Sequence, residues 1–446
     1  MKASDDSTPT TAPLTAADID AAAERISGII TRTPLQHCER LSAATGANVF
    51  LKREDLQVVR SYKLRGAFNL MAQLGDAERR AGVVTASAGN HAQGVAYACR
   101  TLGIDGRIYV PVNTPKQKRD RIMVHGGDRV ELVMVGETFD AASAAAAEDA
   151  QRTGGTRVPP FDDARTAAGQ GTVAAEILEQ LGTAPDIVVV PVGGGGLIAG
   201  VTTYLREHAP AATIVGVEPA GAASMTAALA AGGPVTLTDL DPFVDGAAVR
   251  RIGDLPYAVM RAAGAGAISH SSLPLVTSAL PGASNGIGMT QVDEGAVCTE
   301  MLGLYQNEGI IAEPAGALAV TALSNIEIPS GATVVCMISG GNNDVSRYGE
   351  ILERSLVHLG LKHYFLVDFP QEPGALRRFL DEVLGPDDDI TLFEYVKRNN
   401  RETGAALVGV ELGAAEGLSD LLTRMDRSPM QVERLVPGSP AYRYLT

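Results

Sequence analysis

Short apolar runs rich in β-branched residues alternate with stretches of helical periodicity over most of the chain before residue 340. This alternation is typical of parallel α/β sheets, in which a helix returns the chain to the same end of the sheet after each strand. Because these strands are apolar throughout, we expect helices on both faces. The predicted strands are 82–85, 108–110, 130–133, 187–190, 214–217 and 334–338, and the predicted helices between the first of them are 92–102 and 116–124.

Length, charge and cysteine spacing exclude several classes of protein. The 446 residues suffice for two or three domains, and no apolar run is long enough to span a membrane. The net charge of −15 argues against nucleic acid as a partner. Residues 1–13 are polar, which predicts a disordered tail and a cytoplasmic protein. The distant Cys38, Cys99, Cys298 and Cys336 form no C-x-x-C pair, so neither a disulfide framework nor a zinc site is expected.

The pattern changes after about residue 360. Short apolar runs at 363–367 and 406–410 flank helices that are expected to begin near Pro373 and Glu416. This order predicts a small β-α-β-β-α-β unit. The stretch 346–361 is expected to be a helical connector that leads into it.

The segment 61–67 reads SYKLRGA, and its helical spacing puts Lys63 in the first turn of a helix. The positive end of the helix dipole disfavours an ammonium there and lowers the pKa of the lysine. A neutral amine is what Schiff-base chemistry needs. Taken alone, a lysine in a charged stretch is usually a solvated surface residue.

Two turns of small residues offer backbone N–H groups to an anion. In the first, a predicted strand ends before Ser87 and a helix begins near Asn90, although a simple N-cap would also explain these residues. In the second, four glycines at 193–196 follow a strand. That run also satisfies a dinucleotide-binding pattern with Glu218 as the ribose-binding acid, so an NAD-linked oxidoreductase is an alternative.

Five ordered segments together resemble the threonine dehydratases, in the tryptophan-synthase-β-like group of pyridoxal-phosphate enzymes. The segments are 61–67 (SYKLRGA), 87–94 (SAGNHAQG), 193–197 (GGGGL), 313–317 (EPAGA) and 339–342 (SGGN). The resemblance implies two three-layer α/β subdomains in a catalytic domain at 14–345, with pyridoxal 5′-phosphate as cofactor. It implies Lys63 as the Schiff-base lysine, Asn90 as the partner of the phenolic oxygen, and Ser339 opposite the pyridine nitrogen. The cofactor phosphate would be bound by Gly193, Gly194, Gly195, Gly196 and Leu197.

A neutral hydroxyl at Ser339 moderates electron withdrawal by the pyridine ring, which suits β-elimination better than transamination. The implied reaction is the dehydration and deamination of L-threonine to 2-oxobutanoate and ammonia, the first step of isoleucine biosynthesis. In it Lys63 takes the Cα proton, the cofactor phosphate protonates the leaving hydroxyl, and N–H groups from Ser87 to His91 bind the substrate carboxylate.

The scaffold also hosts serine dehydratases and racemases, so a serine/threonine dehydratase or a racemase is the nearer alternative. Position 62 is Tyr where relatives commonly have Phe, which we expect to be harmless. Some relatives bind a cation with an acid that follows the Gly-Val-Glu-Pro segment. Here Glu218 is followed by Ala222 and Ser224, so no metal site is predicted.

Residues 362–446 resemble a single ferredoxin-like, ACT-like regulatory domain. This implies allosteric inhibition by isoleucine, with valine as antagonist, and a homotetramer in which subunits share effector sites. The alternative is that the tail serves assembly alone.

Overall fold

The computed structural model describes residues 14–267, 286–395, 402–436, 439 and 441–442, so the predicted tail at 1–13 lies outside the described residues. The chain forms two compact units. The first contains positions up to 294 together with 303–343, and the second contains 295–302 together with the chain from 344 onward. The sequence-based division differs, since it assigned 295–302 to the catalytic domain and treated 346–361 as a connector.

The first unit combines strands and helices in alternation. Its strands are β1 (Leu35–His37), β2 (Asn48–Arg53), β3 (Val83–Ala86), β4 (Gly106–Val110), β5 (Val130–Met134), β6 (Thr156–Arg157), β7 (Ile187–Pro191), β8 (Thr213–Pro219), β9 (Gly266–Ala267), β10 (Ile287–Val292) and β11 (Thr333–Ile338). Its helices are α1 (Ala16–Ile26), α2 (Glu39–Thr45), α3 (Lys63–Ala72), α4 (Asp76–Ala81), α5 (Asn90–Leu102), α6 (Lys116–Gly126), α7 (Phe139–Thr153), α8 (Ala164–Leu181), α9 (Gly196–His208), α10 (Ser224–Ala231), α11 (Asp254–Ala262), α12 (Glu294–Glu308) and α13 (Pro314–Thr321), with 295–302 of α12 belonging to the second unit.

These strands form two sheets. The larger has the order β1-β2-β11-β7-β8-β10-β9, and the smaller has the order β5-β4-β3-β6. Neighbouring strands in these two sheets are parallel except β1 and β2. The predicted fold class of two parallel α/β subdomains is confirmed. Active sites of such sheets lie at the carboxyl ends of the strands, where β3, β7 and β11 deliver the predicted segments.

Helices α3, α8 and α9 pack with their backbones in close approach. A Cβ on Gly66 would lie 2.6 Å from the Thr166 carbonyl oxygen, and one on Gly200 would lie 2.3 Å from the Ala167 carbonyl oxygen. Asp163 caps the N-terminus of α8, where its carboxylate accepts the Arg165 N–H at 2.8 Å. Glycines therefore fix α3, and with it Lys63, against α8.

The second unit has the predicted β-α-β-β-α-β order. Its elements are α14 (Tyr348–His358), β12 (Lys362–Pro370), α15 (Ala375–Glu382), β13 (Asp389–Tyr395), β14 (Thr403–Glu411), α16 (Leu418–Arg427) and β15 (Gln431–Leu435). The antiparallel sheet has the order β13-β14-β12-β15. Alternate residues of β12, among them Phe365 and Val367, pack with Phe379 of α15 and Met425 of α16. Gly360 takes a φ of +69° just after the end of α14, as a helix terminator should.

All four cysteines are buried. No helix within the described ranges is both long and apolar enough to cross a membrane.

Candidate active site

Lys63 is the first residue of α3 and reaches a carbonyl oxygen of a neighbouring segment. Its Nζ donates to the Pro160 carbonyl at 3.0 Å and lies 5.4 Å from the centre of the Tyr62 ring. Burial lowers the pKa of Lys63 to about 8, against a smaller opposing effect of the Glu313 carboxylate. Loss of contact with water is thus the main cause, where the sequence pointed to the helix dipole. A lysine with this pKa is partly neutral near neutral pH.

The backbone before Lys63 is held against the turn that follows β11. The Tyr62 N–H donates to the Ser339 carbonyl at 3.1 Å, and the Gly341 N–H donates to the Arg60 carbonyl at 2.9 Å. Arg60 has a φ of +55°, the only positive φ at a non-glycine residue in the described part of the chain. Backbone strain of this kind is concentrated at functional sites. The contacts bring the segments of Lys63 and Ser339 together.

Pro160 and Phe161, which the sequence reasoning missed, contact both Lys63 and the glycine run. The Pro160 carbonyl accepts the Lys63 amine. A Cβ on Gly194 would lie 2.1 Å from the Phe161 ring, and one on Gly196 would lie 3.0 Å from its Cα. Glycine is therefore required at both positions for packing against Phe161. No local pattern in the sequence marks this packing, because it joins segments more than thirty residues apart.

The glycine run at 193–197 joins β7 to the first turn of α9. Gly195 has a φ of +88°, which favours glycine, and a Cβ on Gly193 would lie 2.8 Å from the Ala247 Cα. Leu197 is buried. The first N–H groups of a helix have no intrahelical acceptor, so this loop can present several donors to a phosphate.

Ser87 and Asn90 lie in the turn between β3 and α5, as predicted. The Ser87 N–H already donates to the Tyr109 carbonyl at 3.1 Å, and the Ser87 hydroxyl accepts the Gly89 N–H at 3.3 Å. The Ser87 N–H is thus used within the sheet. An anion here would bind the N–H groups that follow it at the start of α5.

His91 is buried beside this turn. One ring nitrogen, Nε2, lies 2.8 Å from the Val158 carbonyl oxygen, and Nδ1 has no hydrogen-bond partner among the described residues. Burial lowers the pKa of His91 to about 3, and the Lys63 charge adds to the shift. The imidazole is neutral, and its contact supports the segment that carries Pro160.

Glu313 and Asn342 surround Asn90, although the sequence reasoning gave neither a role. The Asn90 Nδ2 donates to Glu313 Oε1 at 2.6 Å, and the Asn342 Nδ2 donates to Asn90 Oδ1 at 2.7 Å. Burial raises the pKa of Glu313 to about 7, and the Asp245 carboxylate adds to it. The signal in the sequence was a single acid within an otherwise apolar stretch at 310–320.

Ser339 is buried at the end of β11. Its hydroxyl donates to the Ala315 carbonyl at 3.2 Å. That separation is long for an O–H···O hydrogen bond, which indicates a weak interaction that the hydroxyl can exchange for a better acceptor.

Glu218 does not lie open to a ribose. Its buried carboxylate accepts the N–H groups of Met225 at 2.6 Å and Thr226 at 3.0 Å, and the Thr226 hydroxyl at 2.7 Å. The dinucleotide alternative is wrong, because the acid it requires caps α10. Within the described ranges, no group of three or more His, Cys, Asp or Glu side chains is placed to hold a metal ion.

Comparison with known families identifies both parts of the chain. Residues 26–340 match the family described as pyridoxal-phosphate dependent enzyme. Residues 353–445 match the family described as the C-terminal regulatory domain of threonine dehydratase.

Individual proteins agree with these families. The biosynthetic L-threonine dehydratase of Mycobacterium tuberculosis is 65% identical over 100% of both chains. The Bacillus subtilis enzyme of that name is 47% identical over 91% of each chain. The solved structure of the processed form of threonine deaminase isoform 2 from Solanum lycopersicum has a TM-score of 0.67 at 36% identity, covering 78% of this chain and 94% of its own.

Proposed function

Because the chain belongs to the biosynthetic threonine dehydratases, a family of pyridoxal-phosphate-dependent lyases with a C-terminal regulatory domain, we propose that it converts L-threonine into 2-oxobutanoate and ammonia. The observation that carries the proposal is the Lys63 amine, whose pKa of about 8 suits both bond formation with an aldehyde and proton transfer.

The residues present fit the cofactor. The glycine run at 193–196 leads into the first turn of α9, whose N–H groups have no intrahelical acceptor, and α9 adds the positive end of its dipole. Lys63 would bind the aldehyde carbon, Asn90 the phenolic oxygen, and the Ser339 hydroxyl the pyridine nitrogen. The weak contact from Ser339 to Ala315 costs little to exchange.

When bound, pyridoxal phosphate withdraws electrons from Cα of the amino acid and so makes the Cα–H bond acidic. The protein then moves the protons. Lys63 Nζ would accept the Cα proton, and loss of the Cα hydrogen together with the Cβ hydroxyl removes one water molecule from the substrate. The resulting enamine takes up one water molecule on hydrolysis, so threonine yields 2-oxobutanoate and ammonia with no net gain or loss of water.

The substrate carboxylate would bind the N–H groups at the start of α5, after Ser87. The Ser87 hydroxyl holds the turn by accepting the Gly89 N–H, which keeps those donors oriented. A helix N-terminus favours the carboxylate by its dipole as well.

The test is to trap the cofactor with borohydride, map the labelled lysine and assay 2-oxo acid release from L-threonine. We expect label on Lys63, and a Lys63→Ala protein without visible absorbance or turnover. Lys116→Ala, at an exposed lysine, is the matched control and should keep both. Full turnover by Lys63→Ala would overturn the mechanism. If the wild-type protein is coloured and inert toward threonine but active on serine, then serine replaces threonine as the proposed substrate.

For the second unit we propose feedback inhibition by isoleucine, opposed by valine, in a cytoplasmic homotetramer. The match of residues 353–445 to a threonine dehydratase regulatory domain supports it. Isoleucine should make threonine saturation sigmoidal in the full chain, and valine should reverse the effect. If calorimetry detects no isoleucine binding to the full chain, the second unit serves another purpose. Sedimentation velocity measures the number of subunits.

A further inference from the structure

Glu313 is a buried acid without a basic partner. The residue is 5% exposed, and no Lys or Arg nitrogen lies within ion-pair distance of its carboxyl group in the described part of the chain. Burial and Asp245 raise its pKa to about 7, while Asn90, Lys118 and the Asn342 backbone lower it. Keeping such a group is costly to stability, so its contact with Asn90 needs a reason.

The glycines around Glu313 make room for its carboxylate. A Cβ on Gly340 would lie 2.2 Å from Glu313 Oε1, and a Cβ on Gly316 would lie 2.2 Å from the Gly340 carbonyl oxygen. The turn after β11 is therefore shaped to admit the carboxylate beside Asn90.

Hydrogen-bond chemistry fixes which end of the Asn90 amide faces which neighbour. The Asn90 Nδ2 donates to Glu313 Oε1, and a carboxyl oxygen that carries no proton only accepts, whether or not the other oxygen of the group is protonated. At the other end, Asn342 Nδ2 donates to the Val59 carbonyl at 2.8 Å and to Asn90 Oδ1 at 2.7 Å. Because a carbonyl also only accepts, Val59 fixes the orientation of Asn342, and Asn342 fixes Asn90.

One hydrogen of the Asn90 amide has no acceptor among the described residues. Its Oδ1 is engaged by Asn342, and one Nδ2 hydrogen is engaged by Glu313, so the second Nδ2 hydrogen remains. Asn342 Oδ1 is buried without a hydrogen-bond partner among the described residues. Such an unmet group costs stability, which is typical of a side chain retained for function.

We propose that Glu313 and Asn342 are positioning residues that hold the Asn90 amide with Nδ2, and not Oδ1, toward the phenolic oxygen of pyridoxal phosphate. The inference rests on the proposed function, in which Asn90 binds that oxygen. A reversed amide would set a carbonyl oxygen against a phenolate, and the two acceptors would repel each other.

The test is the pH titration of the visible absorption band of the pyridoxal-phosphate-loaded full chain. A hydrogen bond to the phenolate lowers the pH at which the band moves to the near ultraviolet. Its loss in Asn90→Ala should raise the midpoint by about one to two units. Asn342→Ala, which changes no charge, should raise it by about one unit, and should add nothing to Asn90→Ala in the double variant.

Two variants separate the effect of the Glu313 charge on the midpoint from the effect of its hydrogen bond to Asn90. Glu313→Gln removes the charge but keeps an acceptor oxygen, so its midpoint measures the effect of charge. Glu313→Ala removes both, and its midpoint should lie about one unit above that of Glu313→Gln. Glu218→Gln is the matched control, because Glu218 is equally buried but bonds to α10, and its midpoint should equal that of the wild type.

The outcomes are distinct. A wild-type chain without a visible band overturns the proposed function. A titrating band that Asn90→Ala leaves unchanged overturns the contact of Asn90 with the cofactor. The positioning inference alone is overturned by a third result. In it, Asn90→Ala shifts the midpoint but Asn342→Ala does not, and Glu313→Ala and Glu313→Gln have equal midpoints. Because Asn342→Ala is a small, uncharged change, it decides the matter if Glu313→Ala fails to fold.

Discussion

Helix α3 carries two basic residues, two positions apart, whose surroundings differ sharply. Arg65 is fully buried and meets two carboxylates, with N···O distances of 2.8 Å to Glu54 and 2.7 Å to Glu176. Lys52, also fully buried, donates to the same Glu176 at 2.6 Å. Lys63 reaches a carbonyl oxygen and no carboxylate among the residues that the structure describes.

The buried acids of the two regions have pKa values that are shifted in opposite directions. Burial alone would raise the pKa of Glu54, but Arg65 and Lys52 hold it below the ordinary value, so the acid stays charged. Burial lowers the pKa of Lys63 to about 8 and raises that of Glu313 to about 7. Glu54 and Arg65 keep their charge because each has a partner of opposite charge. Groups in the candidate site move toward neutrality, where they can exchange protons.

The comparison suggests that the paired network holds α3 while the unpaired groups perform chemistry. A buried ion pair contributes little over an apolar substitute, but breaking one leaves an uncompensated charge. Arg65 should therefore matter for stability and Lys63 for activity.

The largest effect is expected at Arg65. Replacing it in Arg65→Met leaves the buried Glu54 and the partly buried Glu176 with only Lys52 to compensate, and should reduce the free energy of unfolding by about 3–5 kcal/mol. Urea unfolding of the cofactor-free full chain, followed by circular dichroism, measures the loss.

Lys63→Met is the matched variant two residues away. It removes an amine with one hydrogen bond, so the change in unfolding free energy should be below about 1 kcal/mol. Equal losses in the two variants would remove the distinction between network and site.

Local periodicity was sufficient to predict six of the eleven strands described in the first unit. The strand at 82–85 and the helix at 92–102 correspond to β3 and α5, because an apolar run and its helical spacing report burial directly. The order of strands in the two sheets was not predicted. It depends on pairings such as β11 with β2, whose residues lie almost 300 positions apart.

The same limit applies to the site. Lys63, Asn90 and the glycine run were predicted from local motifs and a family resemblance. Glu313 was noticed only as part of a motif, because its contact with Asn90 spans 223 positions. Hydrogen bonds between residues so far apart produce no periodic pattern in the sequence, so the orientation of the Asn90 amide could not be predicted from it.

Glu218 gives the next largest effect and tests whether an unpaired buried acid must belong to the site. Burial raises its pKa to about 7, against an ordinary value near 4.3 in an unfolded chain. The folded chain then binds the proton on Glu218 more tightly, so the contribution of Glu218 to stability is fully present below pH 4.3 and is lost as the pH rises to about 7. The loss should reach about 3 kcal/mol.

Unfolding measured between pH 4 and pH 8 checks this, with Glu218→Gln as the variant that should lose about half of the dependence, because Glu313 has a similarly raised pKa and keeps its own share. Its kinetics on threonine should be unchanged, since the carboxylate caps α10. A variant with the full wild-type pH dependence would place the titration elsewhere, with Glu313 as the first candidate.

The smallest effect is expected where a pair lies in water. Lys116 and Asp120 form an exposed i,i+4 pair on α6, with 79% and 56% of their side chains accessible. The basic residue comes first, the less favourable order for a helix pair, so Asp120→Asn should cost no more than about 0.5 kcal/mol. Moderate salt should screen even this, while leaving the loss in Arg65→Met unchanged, because screening ions do not enter the buried network. If both losses fell together in salt, the network around Arg65 would have to be open to water in solution, and pairing with Arg65 and Lys52 in a buried site could no longer explain why the pKa of Glu54 is lowered while that of Glu313 is raised.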